Sequence, residues 1–267
     1  MNNHINKFYK IQNCSRIWAI GSIHGNYKSL KKVHNHIINQ FTEQDTLIYL
    51  GNVIGVGEQS TEVLNEIVQF RLFLMAKFKT DPEKIIFLRG AQEEMFLKLL
   101  ELQLSPNPKD ILIWMFSHGV DKTLLSYGFK SNDILDICSL GTIVVSKWTT
   151  KLKNQISLYP GHKEYYSHLI HAAFSNTRKI LFVNRGVDVS RPLSAQNDCF
   201  WWGYHGLSNI TNFYNSFKKI VRGYDPKKIG PSPDKIVCSL YKGSGFGAYI
   251  VGGLFSDSGN ILDLFEA

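Results

Sequence analysis

The sequence predicts an α/β fold: two β-sheets packed face to face, helices on the outside and a helical insertion. Three observations carry this reading. Short apolar runs of strand type alternate with helical stretches through the first hundred residues. A mainly helical pattern fills about residues 91–175. Strand patterns separated by turn chemistry dominate from there to the C-terminus. At 267 residues and 44% hydrophobic, the chain can bury one large core. No composition break, low-complexity run or linker divides it, so residues 15–267 read as a single domain behind an N-terminal extension, residues 1–14.

Ile17 to Gly21 is a compact apolar run ending in glycine, and the helix after it places Leu30, Val33, Ile37 and Ile38 at helical spacing. Leu47-Ile48-Tyr49-Leu50 repeats the pattern before Gly51, followed by a helix carrying Val63, Leu64, Ile67 and Val68. Ile85 to Leu88 ends at Arg89-Gly90, and Glu93 to Leu102 reads as a further helix. This β-α-β-α-β order implies a mostly parallel, buried sheet. Within the insertion, Trp114, Met115, Leu124, Leu125 and Tyr127 are candidate core residues. The later strands are expected at Lys179–Val183, Ile220–Gly223, Lys235–Leu240, Ala248–Leu254 and Asn260–Phe265, with Gly230-Pro231-Ser232-Pro233 and Asp257-Ser258-Gly259-Asn260 as turns.

Glycine-bearing segments stand just after the strands: Gly21-Ser22-Ile23-His24-Gly25, Gly51-Asn52-Val53-Ile54-Gly55-Val56-Gly57, Gly90-Ala91-Gln92-Glu93, Asn184-Arg185-Gly186 and Gly223-Tyr224-Asp225-Pro226. In open α/β sheets ligands bind beyond the carboxyl ends of the strands, and glycine lets the backbone turn sharply there. These loops are therefore expected to converge on one pocket.

With a supporting element from Gly119 to Gly128, these segments resemble, in order and separation, the GDxHG, GDxxDRG, GNHE, HAG and GHTP motifs of the calcineurin-like metallophosphoesterases, in particular bacterial-type Ser/Thr protein phosphatases. The resemblance runs over about residues 15–267 and extends to Gln59–Leu64, Glu93-Glu94-Met95, Pro192-Leu193, Gln196 and Trp201-Trp202. It implies a metallophosphoesterase-type two-sheet sandwich. It also implies that the six positions holding two divalent metals in the family are occupied here by Ser22, His24, Asn52, Ala91, Asn184 and Tyr224, of which only His24 is of the family type. The general acid falls on Gln92, the residue orienting that acid on Gly55 and the phosphate-gripping arginine on Val56. Tyr224 is large enough to fill emptied metal space, and Glu93 is expected to support its loop from behind.

These replacements lead to the expectation of a pseudophosphatase: no catalytic residue, no metal or other cofactor, and a role as an interaction or structural subunit of a larger assembly. The alternatives are a residual phosphoesterase with shifted ligands drawn from Asp188, Asp225 or Glu93, and a metal-free phosphate, nucleotide or RNA binder in which His24, Arg89, Arg185 and Arg222 form an anion site. Phe200, Trp201, Trp202 and Tyr204 form an aromatic cluster read as core, any exposed part of which would serve as an interface anchor. The formal charge of +8 fits an acidic partner surface or RNA, and Lys218, Lys219, Arg222, Lys227 and Lys228, the densest basic stretch, read as a strand edge and loop. Cys14, Cys138, Cys199 and Cys238 lack zinc-ligand spacing and read as free thiols. No apolar run reaches transmembrane length and the N-terminus lacks a signal-peptide core, so the expected location is the cytoplasm or an organelle interior such as the mitochondrial matrix, without secretion.

Overall fold

A computed structural model describes residues 7–203, 207 and 210–267. Two five-stranded sheets form its centre. One has the order β10-β9-β2-β3-β4, built from β2 (Arg16–Ile20), β3 (Thr46–Tyr49), β4 (Ile85–Phe87), β9 (Val251–Ser256) and β10 (Ile261–Glu266). The other has the order β1-β5-β6-β7-β8, from β1 (Phe8–Lys10), β5 (Ala172–Phe174), β6 (Ile180–Val183), β7 (Lys219–Arg222) and β8 (Val237–Ser239). The β2-β3-β4 and β6-β7-β8 runs are parallel, while β9, β10 and the β5/β6 pair are antiparallel.

The period-2 alternation of a strand explains the layers. Ile17, Ala19, Ile48, Leu50 and Ile86 face the second sheet and meet Ala173, Ile180, Phe182, Val221 and Cys238. Their neighbours Trp18, Ile20, Leu47, Tyr49, Ile85 and Phe87 point the other way, under α1 (Tyr27–Ile38), α2 (Ser60–Phe78) and α3 (Ala91–Leu99). Both faces are covered, which is why these strands read as unbroken apolar runs. On the far side, Leu181, Val183 and Ile220 pack under Phe200 and Trp201 of α9 (Cys199–Trp202). The insertion consists of α4 (Pro108–Ser117), α5 (Val120–Ser126), α6 (Ser131–Cys138), α7 (Thr142–Ser157) and α8 (His162–Ser167). Among the described residues, no helix is long and apolar enough to cross a membrane, and all four cysteines are free.

Several expectations are corrected. Part of the segment set apart as residues 1–14 belongs to a sheet: β1 pairs in parallel with β5, Phe8 opposite Ala172 and Lys10 opposite Phe174. Strand β5 also begins before the expected end of the insertion near residue 175. Trp114 and Leu125 are 44% and 48% exposed, whereas Met115, Leu124 and Tyr127 are buried. Helix α4 is apolar on most sides, so it buries Leu112 and Met115 and leaves Ile111, Ile113 and Trp114 outward. The basic stretch is no sheet edge, because β7 lies between β6 and β8. Tyr204 of the aromatic cluster lies outside the described residues.

Candidate functional site

The five glycine-bearing loops meet at one end of the sandwich, joined by main-chain hydrogen bonds. The amides of Ile23 and His24 donate to the carbonyl of Asn52 at 3.0 and 2.8 Å, and that of Gly25 donates to Val53 at 3.0 Å. Ser22 donates to Gly223 at 2.9 Å, which ties the two sheets together, and Tyr224 donates to Asn184 at 2.8 Å within the second sheet. The Gly119 element joins through Val56, whose amide donates to the Gly119 carbonyl at 3.1 Å. Two glycines are dictated by this crowding. A side chain on Gly21 would run into the Leu240 carbonyl, and Gly55, at φ +82°, lies against the Gln92 amide.

Glu93 holds the arrangement from below. It is fully buried, and its carboxylate accepts from the amides of Asn52 and Val53 at 2.7 Å each and of Gly90 at 2.9 Å, with the Tyr165 hydroxyl at 3.3 Å. Burial pushes its pKa up, while the amide donors pull it down. Asn52 sits at φ +52° and accepts the Gln92 amide on Oδ1 at 3.0 Å. Gln92 donates Nε2 to the His118 carbonyl at 2.8 Å. Asn184 donates Nδ2 to the Leu50 carbonyl at 2.7 Å.

His24 stands at the centre, 2% exposed and at φ +52°. Its ring meets the edges or faces of Tyr224, Tyr241 and Phe246 at 5.8, 5.8 and 6.2 Å between centroids. Burial drives its pKa down to about 3, against a small opposing contribution from the Ile54 backbone, so the imidazole is neutral at pH 7. Among the described residues, neither of its nitrogens has a well-formed hydrogen bond, and the Ser22 Oγ, Gln92 Oε1 and Asn184 Oδ1 atoms are likewise buried without a partner. Above these atoms opens a cleft of about 450 Å3, lined by His24, Asn52, Ala91, Gln92, Arg185 and Tyr224, with Val56, Met95, Phe116, Trp202 and Phe246 completing its apolar walls.

The four residues expected to share an anion site are not brought together. Arg222 is buried, donates to the Ser239 hydroxyl at 2.6 Å and pairs with Asp225 at 2.6 Å, on a different cavity. Arg89 pairs with Glu94 at 3.0 Å and lies over Trp201. His24 and Arg185 remain in the cleft. The candidate shifted ligands are also held elsewhere: Glu93 by its amides, Asp225 by Arg222, and Asp188 by the Ser190 hydroxyl at 2.6 Å and by Arg191. Among the described residues, no group of three His, Cys, Asp or Glu side chains converges as a metal site. The sequence reading missed Phe246 and His118. The signal for Phe246 was available in Gly243-Ser244-Gly245-Phe246-Gly247, three alternating glycines after β8, all with positive φ.

Comparison with solved structures places this geometry. A protein described as a diadenosine tetraphosphatase superposes with a TM-score of 0.55 at 14% identity, covering 98% of each chain. A Saccharomyces cerevisiae serine/threonine phosphatase with similarity to human PP5 gives 0.54 at 15% identity over 97% of this chain and 83% of its own. A cold-active protein-tyrosine phosphatase of a Shewanella species gives 0.51 at 13% identity over 97% of this chain and 82% of its own. The chain shares its fold with these phosphatases. No family model matches the sequence, and no curated protein matches it significantly.

The resemblance implies a pair of divalent metals, and the residues present do not fit one. Two dications about 3.5–4 Å apart repel by about 18 kcal/mol at an effective dielectric of about 20. Anionic ligands, above all a bridging carboxylate, offset that repulsion. The six positions that the resemblance assigns to metal ligands offer the Ser22 hydroxyl, a neutral imidazole, two carboxamides, a methyl group at Ala91 and a phenol at Tyr224.

Proposed function

We propose that this chain is a catalytically inactive relative of metal-dependent Ser/Thr phosphatases that serves as a protein-interaction or structural subunit. The observation that carries the reading is the missing negative charge at the positions where the five loops meet, with Glu93 committed to backbone amides and Asp225 to Arg222. Without a metal, no bound water is acidified toward pH 7. Gln92, where the family has its general acid, cannot supply a proton, because an amide does not titrate. Tyr224 occupies space beside His24 and Tyr241 rather than offering a ligand. The interaction role draws support from the insertion, which exposes Ile111, Ile113, Trp114, Leu125, Leu140 and Ile143. Contiguous exposed apolar patches mark protein contact surfaces, and Ile111 and Trp114, three residues apart, share a side of α4.

The test is metal analysis together with hydrolysis of an aryl phosphate after loading with manganese, iron or zinc. The expected result is no stoichiometric metal and no turnover. Metal-dependent turnover that disappears in His24→Ala would overturn the proposal.

A further inference from the structure

Among the described residues lining the cleft, one cation lacks a carboxylate partner. Arg185 lines it and lays its guanidinium 5.5 Å above the Tyr224 ring. Arg89, Arg191 and Arg222 are paired with Glu94, Asp188 and Asp225; among the described residues, Arg185 has no such partner. Lys122, at the rim, is already held by Glu58 at 3.0 Å, and Asp121 adds a carboxylate to the same wall. Lys228, whose ammonium lies 4.1 Å from the centroid of the Phe246 ring, offsets Asp121, so with Arg185 the site presents close to a single net positive charge.

Two buried polar residues of the same lining carry atoms without partners. Gln92, 6% exposed, uses its Nε2 on His118 and leaves Oε1 free as an acceptor. His24, 2% exposed, has no well-formed hydrogen bond at either ring nitrogen. Buried polar atoms are normally satisfied, so these point to a ligand or ordered solvent. The walls between them are aromatic and aliphatic. A volume of about 450 Å3 is that of an ordinary small-ligand pocket.

This chemistry selects against a phosphate monoester. Such a group carries about −1.5 to −2 charge near neutrality, and here it would meet one free guanidinium, with the Asp121 carboxylate set against the Lys228 ammonium beside Phe246. A carboxylate matches it, since a guanidinium can grip one with two parallel N–H donors. We propose that the cleft binds a monocarboxylate with an aromatic body bearing a hydroxyl or amino donor: the carboxylate on Arg185, the ring against Tyr224 and Phe246, and the donor on Gln92 Oε1. The same chemistry is offered by a free aromatic acid and by a peptide ending in an aromatic residue. The inference rests on the cleft holding no metal pair.

Calorimetric titration of the full chain tests it with 4-hydroxybenzoate, 4-hydroxybenzamide, benzoate and phenyl phosphate, each with and without manganese. The expected result is that 4-hydroxybenzoate binds about 10-fold or more tightly than 4-hydroxybenzamide or phenyl phosphate. Arg185→Gln should remove about that factor, the usual worth of a hydrogen bond to a charged group. Gln92→Leu should erase the advantage of 4-hydroxybenzoate over benzoate. An unchanged urea midpoint checks that each variant is folded. N-acetyl-tyrosine and a short peptide ending in tyrosine then separate the two sources: tighter binding of the peptide assigns a partner's chain end, and tighter binding of the free acid a small molecule. Equal binding of the benzamide, or an unaffected Arg185→Gln variant, overturns the proposal. No binding by any probe overturns it and leaves the inactive-phosphatase reading standing. Manganese-dependent binding of phenyl phosphate overturns both.

Discussion

Replacing Glu93 by glutamine removes a charge and turns one of two acceptor oxygens into a donor, where every neighbour is itself a donor. If the remaining oxygen takes the side facing Asn52 and Gly90, the new NH2 group confronts the Val53 amide, which now donates to Oε1 at 2.7 Å, and the Tyr165 hydroxyl. The opposite rotamer strands the Asn52 and Gly90 amides instead. Either way at least one buried N–H loses its partner, at about 1–3 kcal/mol, and the retained bonds lose their charge assistance. The sum is about 2–4 kcal/mol. The effect should spread, because Asn52 and Val53 in turn accept from Ile23, His24 and Gly25. Urea unfolding followed by tryptophan fluorescence measures it: with a slope of about 3 kcal/mol per molar, the midpoint should fall by about 1 M. A midpoint within about 0.2 M of the parent would show that these amides find other partners, and that the loops do not depend on this carboxylate.

Two further predictions concern stability. Val56, a β-branched residue at φ +61°, occupies the left-handed region, where such side chains are strained by about 1–2 kcal/mol. Val56→Asn should therefore stabilise the fold by about 1 kcal/mol, read as a rise in Tm of about 2–4 °C by calorimetry; a fall would mean that its packing outweighs its backbone. His162 is buried, accepts from the Tyr127 hydroxyl at 2.7 Å and donates to Asn65 Oδ1 at 3.0 Å, and burial pushes its pKa down to about 4. Its contribution is thus complete above its unfolded pKa of about 6.5 and is lost as pH falls toward about 4. His162→Gln should flatten the loss of stability between about pH 6.5 and 4, and an unchanged pH profile would remove His162 as a source of acid sensitivity.

Much of the scaffold was legible because its signals are local. The runs at Ile17, Leu47 and Ile85 are covered on both faces, so burial wrote them as continuous apolar strings. The glycine framework was legible because each loop must turn at a strand end. Strands β1 and β5 were not, because Phe8-Tyr9-Lys10 and Ala172-Ala173-Phe174 are three residues long and become strands only through their partners, β1 through β5 and β5 through β1 and β6. The same limit applied to the site. Ser22, His24, Asn52, Ala91, Asn184 and Tyr224 could be placed by their loops, but the separation of Arg185 from Arg89 and Arg222 depends on which carboxylates folding brings near. Trp114 misled because helix α4 is apolar nearly all round, leaving no stripe to mark its inner face.

The seam between the loops is sewn largely with peptide groups, such as Ser22 to Gly223, His24 to Asn52 and Tyr224 to Asn184. A stitch of this kind is indifferent to what hangs from the Cα atoms it joins. The end of the sandwich is therefore a frame whose fittings can be changed without taking down the wall, so a side chain that faces the opening, unlike the Glu93 carboxylate beneath it, can be exchanged for another while the opening keeps its shape.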